Sequence, residues 1–208
     1  MIFTTTYEKD NPELLAQLRE ANKYLPWINE AATKFGLQPC VIAGLGSRES
    51  HWGLALNPEG PEGTGDFAKR KPKPPERQGT LPDDGRGFGR GLLQIDFDWH
   101  VFARTGKWRD PRENILYGCR VLADCLKRIL EKISEEPLRG RFDYDFPLFL
   151  GKREHQIIRA NLAAYNTGSA RPLRDIKEGI DVDTSTSGHN YSTDVLSRAG
   201  WFQLQGWA

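Results

Sequence analysis

The sequence has little net charge, few cysteines and no long hydrophobic run, and each shortage excludes a class of protein. Lys and Arg total 29 and Asp and Glu total 28 among 208 residues, so the formal net charge is +1. This balance argues against nucleic-acid binding through a strongly basic domain. No stretch approaches the roughly 20 apolar residues that span a bilayer, so we expect no transmembrane segment.

Cysteine is scarce, with three in the chain. Cys119 and Cys125 are six residues apart in a predicted helix, and the rise of about 9 Å between them exceeds the reach of a disulfide. We therefore expect free thiols and no secreted disulfide scaffold. The first residues lack a basic region followed by an apolar stretch, so we expect no signal peptide. A target outside the cytosol then requires release or export by a separate route.

The familiar motifs of metal and nucleotide enzymes are also missing. Arg90 stands where G-x-G-x-x-G needs a glycine after Gly85 and Gly87, and no G-x-x-x-x-G-K-[ST] occurs. The four histidines have no metal-binding spacing to each other or to the cysteines. We therefore expect no metal and no other cofactor.

What the sequence does contain is a helical pattern. With 38% hydrophobic residues, 208 residues can bury one core, and we predict a single domain over 1–208. Three helices are predicted in the first third: one begins after Asp10 or Asn11, one ends at Gly36, and one runs from Pro39 to about Ser50. Residues 1–36 are interpreted as an N-terminal helical extension.

The clearest helix begins at Pro111. Asp110 is its predicted cap and Glu113 completes a capping box. Apolar residues from Ile115 to Ile133 recur at helical spacing on enough of its circumference to predict a central buried helix. Further helices are predicted at roughly 155–164 and 193–202, which gives a mainly α fold.

Residues 57–91 differ from the rest because they hold six of the 13 prolines and many glycines. They predict a loop, and its basic run KRKPKPPER (69–77) is either a solvated surface or an attraction for an anionic polymer. Leu92, Leu93 and Ile95 follow in a strand-like run, which predicts a small hairpin.

Carboxylates are the best candidates for chemistry. Glu49 follows Ile42 and Leu45 at helical spacing and so shares their apolar face. Loss of hydration there favours a neutral carboxyl, as a general acid requires. The alternative is a helix-end glutamate paired with Arg48 or with another arginine.

A second carboxylate group follows the glycines: Asp83, Asp84, Asp96 and Asp98. Asp96 ends the predicted strand, and a helix-borne acid facing a hairpin-borne carboxylate is the arrangement of glycoside hydrolysis. The alternative for Asp96 is a turn residue that accepts local backbone N–H groups. Four aromatic residues could stack on sugars or belong to the core: Trp52, Trp99, Trp108 and Tyr165.

Four ordered blocks carry a resemblance to a known family: GSRESHWG, GFGRGLLQIDFDWH, NLAAYNTG and YSTDVLSRAGWF. With them the sequence resembles the goose-type lysozymes and, more distantly, the soluble lytic transglycosylases, over roughly residues 37–203. The resemblance implies a lysozyme-like, mainly α (α+β) domain in which a small β-sheet forms one wall of the cleft. The loop 57–83 looks like an insertion relative to that family.

The resemblance also implies roles for residues. Glu49 matches the catalytic acid, Asp96 matches an aspartate that positions and activates water, and Asp84 matches a second such aspartate, with Asp83 as its competitor. Five further residues match substrate-binding positions in the cleft: Gln94, His100, Tyr165, Asn166 and Tyr191.

These roles imply an N-acetylmuramidase that cleaves the β-1,4 bond between N-acetylmuramic acid and N-acetylglucosamine in peptidoglycan with inversion. The alternatives are a lytic transglycosylase, which leaves 1,6-anhydro ends, and a glycan-binding module without turnover. We expect a monomer made in the cytoplasm, acting on the cell wall as a phage-type lysin or an injected effector. An effector would imply an inhibitor or immunity protein that blocks the cleft.

Overall fold

The computed structural model describes residues 1–67, 87–135 and 153–208, and within them the chain is mainly helical. The α-helices of these residues are α1 (Pro12–Lys23), α2 (Leu25–Phe35), α3 (Pro39–Ser50), α4 (Pro111–Ile133), α5 (Arg153–Thr167), α6 (Ala170–Glu178) and α7 (Tyr191–Leu204). Three short strands are β1 (Thr64–Gly65), β2 (Gly89–Arg90) and β3 (Ile95–Asp96). The predicted mainly α fold with a small sheet is confirmed. None of the described helices combines the length and apolar character needed to cross a membrane.

The N-terminal helices begin and end where their capping residues predict. The Leu14 N–H donates to Asn11 Oδ1 at 3.0 Å at the start of α1, and Gly36 ends α2 with a φ of 67°. Helix α3 has the predicted bounds. Leu14 and Ile28 are buried in the main core, so the first 36 residues pack into the domain.

Helix α3 lies at the centre of the domain, and the prediction of α4 as the central helix is wrong. Every residue from Cys40 to Ser47 in α3 is buried. A Cβ on Gly44 would lie 2.5 Å from the Val195 carbonyl oxygen, so α3 and α7 pack backbone against backbone. Helix α4 instead buries one face and exposes the other, since its charged residues lie on one side.

One of the two hydrogen bonds of the predicted capping box at the start of α4 is present. The Glu113 N–H donates to Asp110 Oδ1 at 3.0 Å, as the capping pattern predicts. The Glu113 carboxylate does not complete the box, because it accepts from Arg112 instead. Helix α6 was not predicted, and its nine residues carry too few apolar positions for a clear periodicity.

The sheet is antiparallel in the order β1–β2–β3, with Gly65 paired to Gly89 and Gly89 paired to Asp96. Strand β1 corrects the prediction that all of 57–91 is loop. Leu92 and Leu93 lie in the turn between β2 and β3, where both are fully buried, so they anchor the turn in the core instead of extending a strand.

Other sequence predictions have mixed outcomes. The three cysteines are free, as predicted. Trp52 and Trp108 belong to the core, whereas Trp99 is 61% exposed. The basic run 69–77 lies outside the described residues, so its role stays a prediction.

Candidate active site

A cleft of about 500 Å³ lies where the C-terminal end of α3 meets the sheet, the end of α5 and the start of α7. It gathers seven residues that the sequence singled out: Glu49, Gln94, Asp96, His100, Tyr165, Asn166 and Tyr191. They come from four separate parts of the chain. Asp83 and Asp84 lie outside the described residues, so the assignment of a second aspartate stays a prediction.

Glu49 lies in the last turn of α3 and faces the cleft. Burial raises the pKa of its carboxyl to about 7, while a hydrogen bond from Tyr191 and the positive charge of Arg48 act in the lowering direction. Within the described residues Glu49 forms no ion pair, since Arg48 pairs with Asp194 at 3.0 Å. The alternative of a glutamate paired with Arg48 is therefore wrong, and the carboxyl can hold a proton near neutral pH.

Tyr191 opens α7 and donates its hydroxyl hydrogen bond to Glu49 Oε1. Burial raises the pKa of the Tyr191 hydroxyl well above its usual value, so the group remains a donor at every pH relevant to catalysis. The Asp183 carboxylate accepts the N–H groups of Ser192 at 2.7 Å and Thr193 at 3.0 Å. These bonds hold the start of α7, and with it Tyr191, against Glu49.

Asp96 ends β3 and lies in the same cleft as Glu49. Its Oδ1 accepts the N–H groups of Asp98 at 2.7 Å and Trp99 at 3.3 Å, so the predicted turn role is confirmed. That role does not exclude chemistry, because a carboxylate has about four lone-pair sites. The backbone bonds orient the carboxylate at the mouth of the hairpin.

The turn that carries Asp96 is anchored by buried polar groups. Asn114, fully buried on α4, accepts the Leu93 N–H at 2.9 Å and donates to the Arg90 carbonyl at 3.0 Å. Ser50 Oγ donates to the Leu92 carbonyl at 2.6 Å, and the Tyr165 hydroxyl donates to the Leu93 carbonyl at 2.7 Å. Ser50, which follows Glu49 at the end of α3, and Tyr165, which lines the cleft, thus both hold the hairpin in place.

Asn114 was missed in the sequence. Its signal is a polar residue directly before Ile115 on the buried face of α4, which indicates a side chain that bonds backbone groups of another element.

His100 and Gln94 line the cleft on the sheet side. His100 Nδ1 lies 3.1 Å from the Tyr117 hydroxyl, and burial lowers the pKa of the His100 ring, so we expect it to be neutral near pH 7. Gln94 Nε2 donates to the Gly91 carbonyl at 2.9 Å. A Cβ on Gly89 would lie 2.0 Å from Gln94 Oε1, so this strand needs glycine for the Gln94 side chain to cross it.

Asn166 lines the opposite side of the cleft, near the end of α5. Its Oδ1 accepts the Ser187 N–H at 3.0 Å, which ties α5 to the segment that leads into α7. Asn166 therefore has a structural bond in addition to its place at the cleft.

Comparison with known proteins decides the family. No protein-family model matches the chain. Lysozyme g of Gallus gallus is 30% identical over 190 residues, which cover 91% of this chain and 68% of that protein. The chain belongs to the goose-type lysozyme family. The protein is therefore a lysozyme.

Two further relatives agree with this assignment. Lysozyme g of Casuarius casuarius is 28% identical over 190 residues, which cover 91% of this chain and 78% of that protein. A membrane-bound lytic murein transglycosylase F 1 of Alkalilimnicola ehrlichii is 26% identical over 119 residues, which cover 57% of this chain and 18% of that protein. The resemblance to the goose-type lysozymes that the sequence motifs indicate is thereby confirmed, and a more distant similarity to a lytic transglycosylase is found beside it.

Among the cleft residues of this goose-type lysozyme that were not predicted as site residues, three have polar side chains: Arg48, Asp66 and Ser187. Asp66 follows β1 with a φ of 54° and adds another carboxylate to the cleft. No sequence signal identifies it, because β1 has two residues and no periodicity. Among the residues that the structure describes, no three His, Cys, Asp or Glu side chains form a metal-binding group.

The cleft of this lysozyme continues into a second groove of about 640 Å³. The two share five residues: Asp96, His100, Val121, Tyr165 and Asn166. Beyond these residues the groove includes the exposed ring of Trp99, which offers a flat apolar face of the kind that stacks on sugar rings. The combined surface is extended, as a polymeric substrate requires.

Proposed function

We propose that this lysozyme is an N-acetylmuramidase that hydrolyses the β-1,4 bond between N-acetylmuramic acid and N-acetylglucosamine in peptidoglycan. The observation that carries the proposal is the environment of Glu49. Burial raises the pKa of its carboxyl to about 7, and the carboxyl lies in one cleft with Asp96. Two carboxyl groups in unlike environments are the requirement of acid-assisted glycoside hydrolysis.

In the proposed mechanism Glu49 protonates the leaving glycosidic oxygen. Asp96, with Asp84 as the predicted second aspartate, orients a water on the opposite face of the sugar and accepts its proton. Attack of that water breaks the bond with inversion, a route in which the two carboxyl groups stand about 6.5–9.5 Å apart. The turn that bonds Asp96 Oδ1 to two backbone N–H groups supports this role, since it orients the carboxylate before substrate binds.

Glu49→Gln tests the proposal. Gln keeps the shape of the side chain and accepts the Tyr191 hydrogen bond, but it has no proton of suitable acidity to donate. We expect the rate of reducing-end release from purified peptidoglycan to fall by about 10²- to 10⁴-fold.

The matched control is Glu30→Gln, because Glu30 is an exposed glutamate paired with Arg112 on the outer surface. We expect this control to retain the wild-type rate. Near wild-type lysis by Glu49→Gln would remove Glu49 from the mechanism.

A lytic transglycosylase is the second candidate, favoured by the partial similarity to the Alkalilimnicola ehrlichii transglycosylase. In that reaction the glutamate acts as acid and then as base, and the C6 hydroxyl of the muramic acid displaces the bond. Its products are one water lighter than hydrolysis products. Mass spectra of digested peptidoglycan distinguish the two, and predominant anhydro ends would contradict the hydrolytic assignment.

The proposed substrate lies outside the cytosol, so the enzyme must reach the cell wall to act. A phage-type lysin and an injected effector are the two settings that we propose. Expression in the bacterial cytosol without a leader is then expected to be tolerated, whereas expression with a periplasmic leader is expected to lyse the cells.

A further inference from the structure

A cluster of charged side chains that the mechanism above does not use joins α3 to α7 beside Glu49. Arg48 Nη1 donates to Asp194 Oδ2 at 3.0 Å, and Arg198 Nε donates to the same oxygen at 2.8 Å. The Tyr7 hydroxyl donates to Asp194 Oδ1 at 2.5 Å. The Asp194 carboxylate is thus shared by two arginines, and its side chain is 12% exposed.

This cluster adjoins the proposed general acid directly. Arg48 precedes Glu49 in α3 and also lines the cleft. Its guanidinium carbon lies 5.7 Å from the centre of the Tyr191 ring, whose hydroxyl donates to Glu49. Tyr191 and Asp194 are three residues apart on α7 and therefore share one face of that helix. From this face of α7, Asp194 binds Arg48 and Tyr191 binds Glu49, which are neighbouring residues of α3.

We propose that Asp194 is a positioning residue for the reaction: it holds the Arg48 guanidinium against the Tyr191 ring and balances its charge, so that Glu49 retains the proton it must donate. The proposal rests on the proposed function, in which Glu49 is the general acid. Asp194 is not among the described residues that line the cleft and is bonded to Arg48, which is, so its effect passes through Arg48.

The physical reason is the sign of the charge that faces Glu49. A nearby cation favours an ionised carboxylate, and Arg48 acts on Glu49 in this direction. The negative charge of Asp194 cancels part of the field of Arg48, with which it pairs at 3.0 Å. Without Asp194, the Arg48 cation would lie beside Glu49 without this counter-charge, and the Glu49 carboxyl would lose its proton at lower pH.

The other groups around Glu49 do not replace Asp194. Tyr165 on α5 and Tyr191 on α7 are held neutral, because burial raises the pKa of both hydroxyls. The remaining titratable groups of the cleft lie on or next to the sheet: Asp66, Asp96 and His100. Among the described residues that line this cleft, Arg48 is the only lysine or arginine.

The test is the pH dependence of kcat/KM for Asp194→Asn, measured by reducing-end release from soluble peptidoglycan strands. The alkaline limb of the profile reports deprotonation of the general acid in the free enzyme. We expect this limb to move to lower pH by about 0.5 to 1 unit, as removal of one partly buried charge at this range predicts. A merely structural role would lower the rate at every pH and leave the limb in place.

Two further variants complete the design. Arg48→Gln removes the cation itself, so its alkaline limb is expected to move to higher pH, and this variant serves if Asp194→Asn does not fold. Asp181→Asn is the control for the loss of an ion pair elsewhere. Asp181 pairs with Arg159 at a distance of 2.7 Å, its side chain is more exposed than that of Asp194, and it does not line the cleft. Its limb is expected to coincide with that of the wild type.

Opposite displacements in Asp194→Asn and Arg48→Gln support the proposal. An unmoved limb in either folded variant, or displacement of both in the same direction, overturns it. Failure of the proposed function is distinguishable, because Glu49→Gln would then remain active. An inactive Glu49→Gln with unmoved limbs rejects the role of Asp194 alone.

Discussion

At Glu49, burial and two favourable contacts act on one carboxyl in opposite directions, and burial has the larger effect on its pKa. The hydrogen bond from Tyr191 and the charge of Arg48 both stabilise the ionised form, yet the pKa stands at about 7. The reason is that α3 is surrounded by protein on nearly all sides, so that its last turn faces little water. The raised pKa of this carboxyl also affects the stability of the fold.

Glu49 is expected to make the fold less stable as the pH rises. Its pKa is higher in the folded chain, about 7, than the ordinary value of 4.5, so the folded state binds more protons between these pH values. The free energy of unfolding therefore falls with rising pH across that window. Glu49→Gln lacks this titration, so we expect its stability relative to wild type to improve by about 2 kcal/mol between pH 4 and pH 8, after allowance for screening by water in the cleft.

Urea unfolding of both proteins at pH 4, 6 and 8 measures this difference. A constant gap between the two proteins across the series would mean that the pKa of Glu49 is not raised. The same comparison for Glu30→Gln gives a contrast of opposite sign: the hydrogen bond from Arg112 lowers the pKa of the Glu30 carboxyl, so this variant should lose stability relative to wild type as the pH rises from 4 to 6.

Among the secondary-structure elements, α3 and α7 decide the geometry of the cleft. They carry Glu49 and Tyr191 respectively, and they approach each other closely at Gly44. The short hairpin reaches the same place because Asn114, Ser50 and Tyr165 bond its backbone. The cleft is therefore held by rigid contacts between elements, and a change at a distant contact can alter it.

Gly44→Ala is expected to damage both stability and activity. The new Cβ would lie 2.5 Å from the Val195 carbonyl oxygen and 2.8 Å from the Ala199 nitrogen, so α7 must move. We expect a loss of about 1–3 kcal/mol in the free energy of unfolding, despite the better helix propensity of alanine. We also expect a lower kcat, since Tyr191 moves with α7.

Gly106→Ala is the matched control, because nothing lies within 4 Å of a Cβ there. Thermal unfolding and the lysis assay compare the two variants. Equal stability of Gly44→Ala and the wild type would show that the two helices can separate without cost.

Over the whole molecule, the first residues of the chain complete the core around its last helix. Phe3 is buried, its N–H donates to Gln203 Oε1 at 2.8 Å, and the Trp201 indole donates to the Glu8 carbonyl at 2.8 Å. A Cβ on Gly200 would lie 2.7 Å from the Phe3 carbonyl oxygen, so the segment runs tightly against α7. Both ends of the described chain thus belong to one core, which supports the single domain that we predict.

Deletion of residues 2–8 is therefore expected to destabilise the entire domain. The deletion removes the burial of Phe3 and the bond from Tyr7 to Asp194, and we expect a loss of about 3 kcal/mol or more. Thermal unfolding should remain a single transition at a lower Tm. Removal of the exposed Ala208 is the control. An unchanged Tm in the deletion variant would show that the N-terminal segment is an appendage.

Much of the helical framework follows from local chemistry. Asn11, Gly36 and Asp110 act only on their own helix ends, so their positions in the sequence predict α1, α2 and α4 correctly. Strand β1 was not predictable, because two residues carry no alternation and their pairing is decided by β2. The prediction that α4 is the central buried helix is wrong for the same reason, since the burial of a helix depends on what packs against it.

The sequence alone determined the family motifs, the helix ends and the place of Glu49 on an apolar helix face, because these depend on residues a few positions apart. Only the tertiary structure decided which groups surround that carboxyl. Tyr191 donates a hydrogen bond to Glu49 from 142 residues away in the sequence, and Asp194 pairs with the neighbouring Arg48 from 146 residues away. Hydration and charge act through space and not along the chain, so the pKa of Glu49, and with it the proposed chemistry, depends on the folded packing.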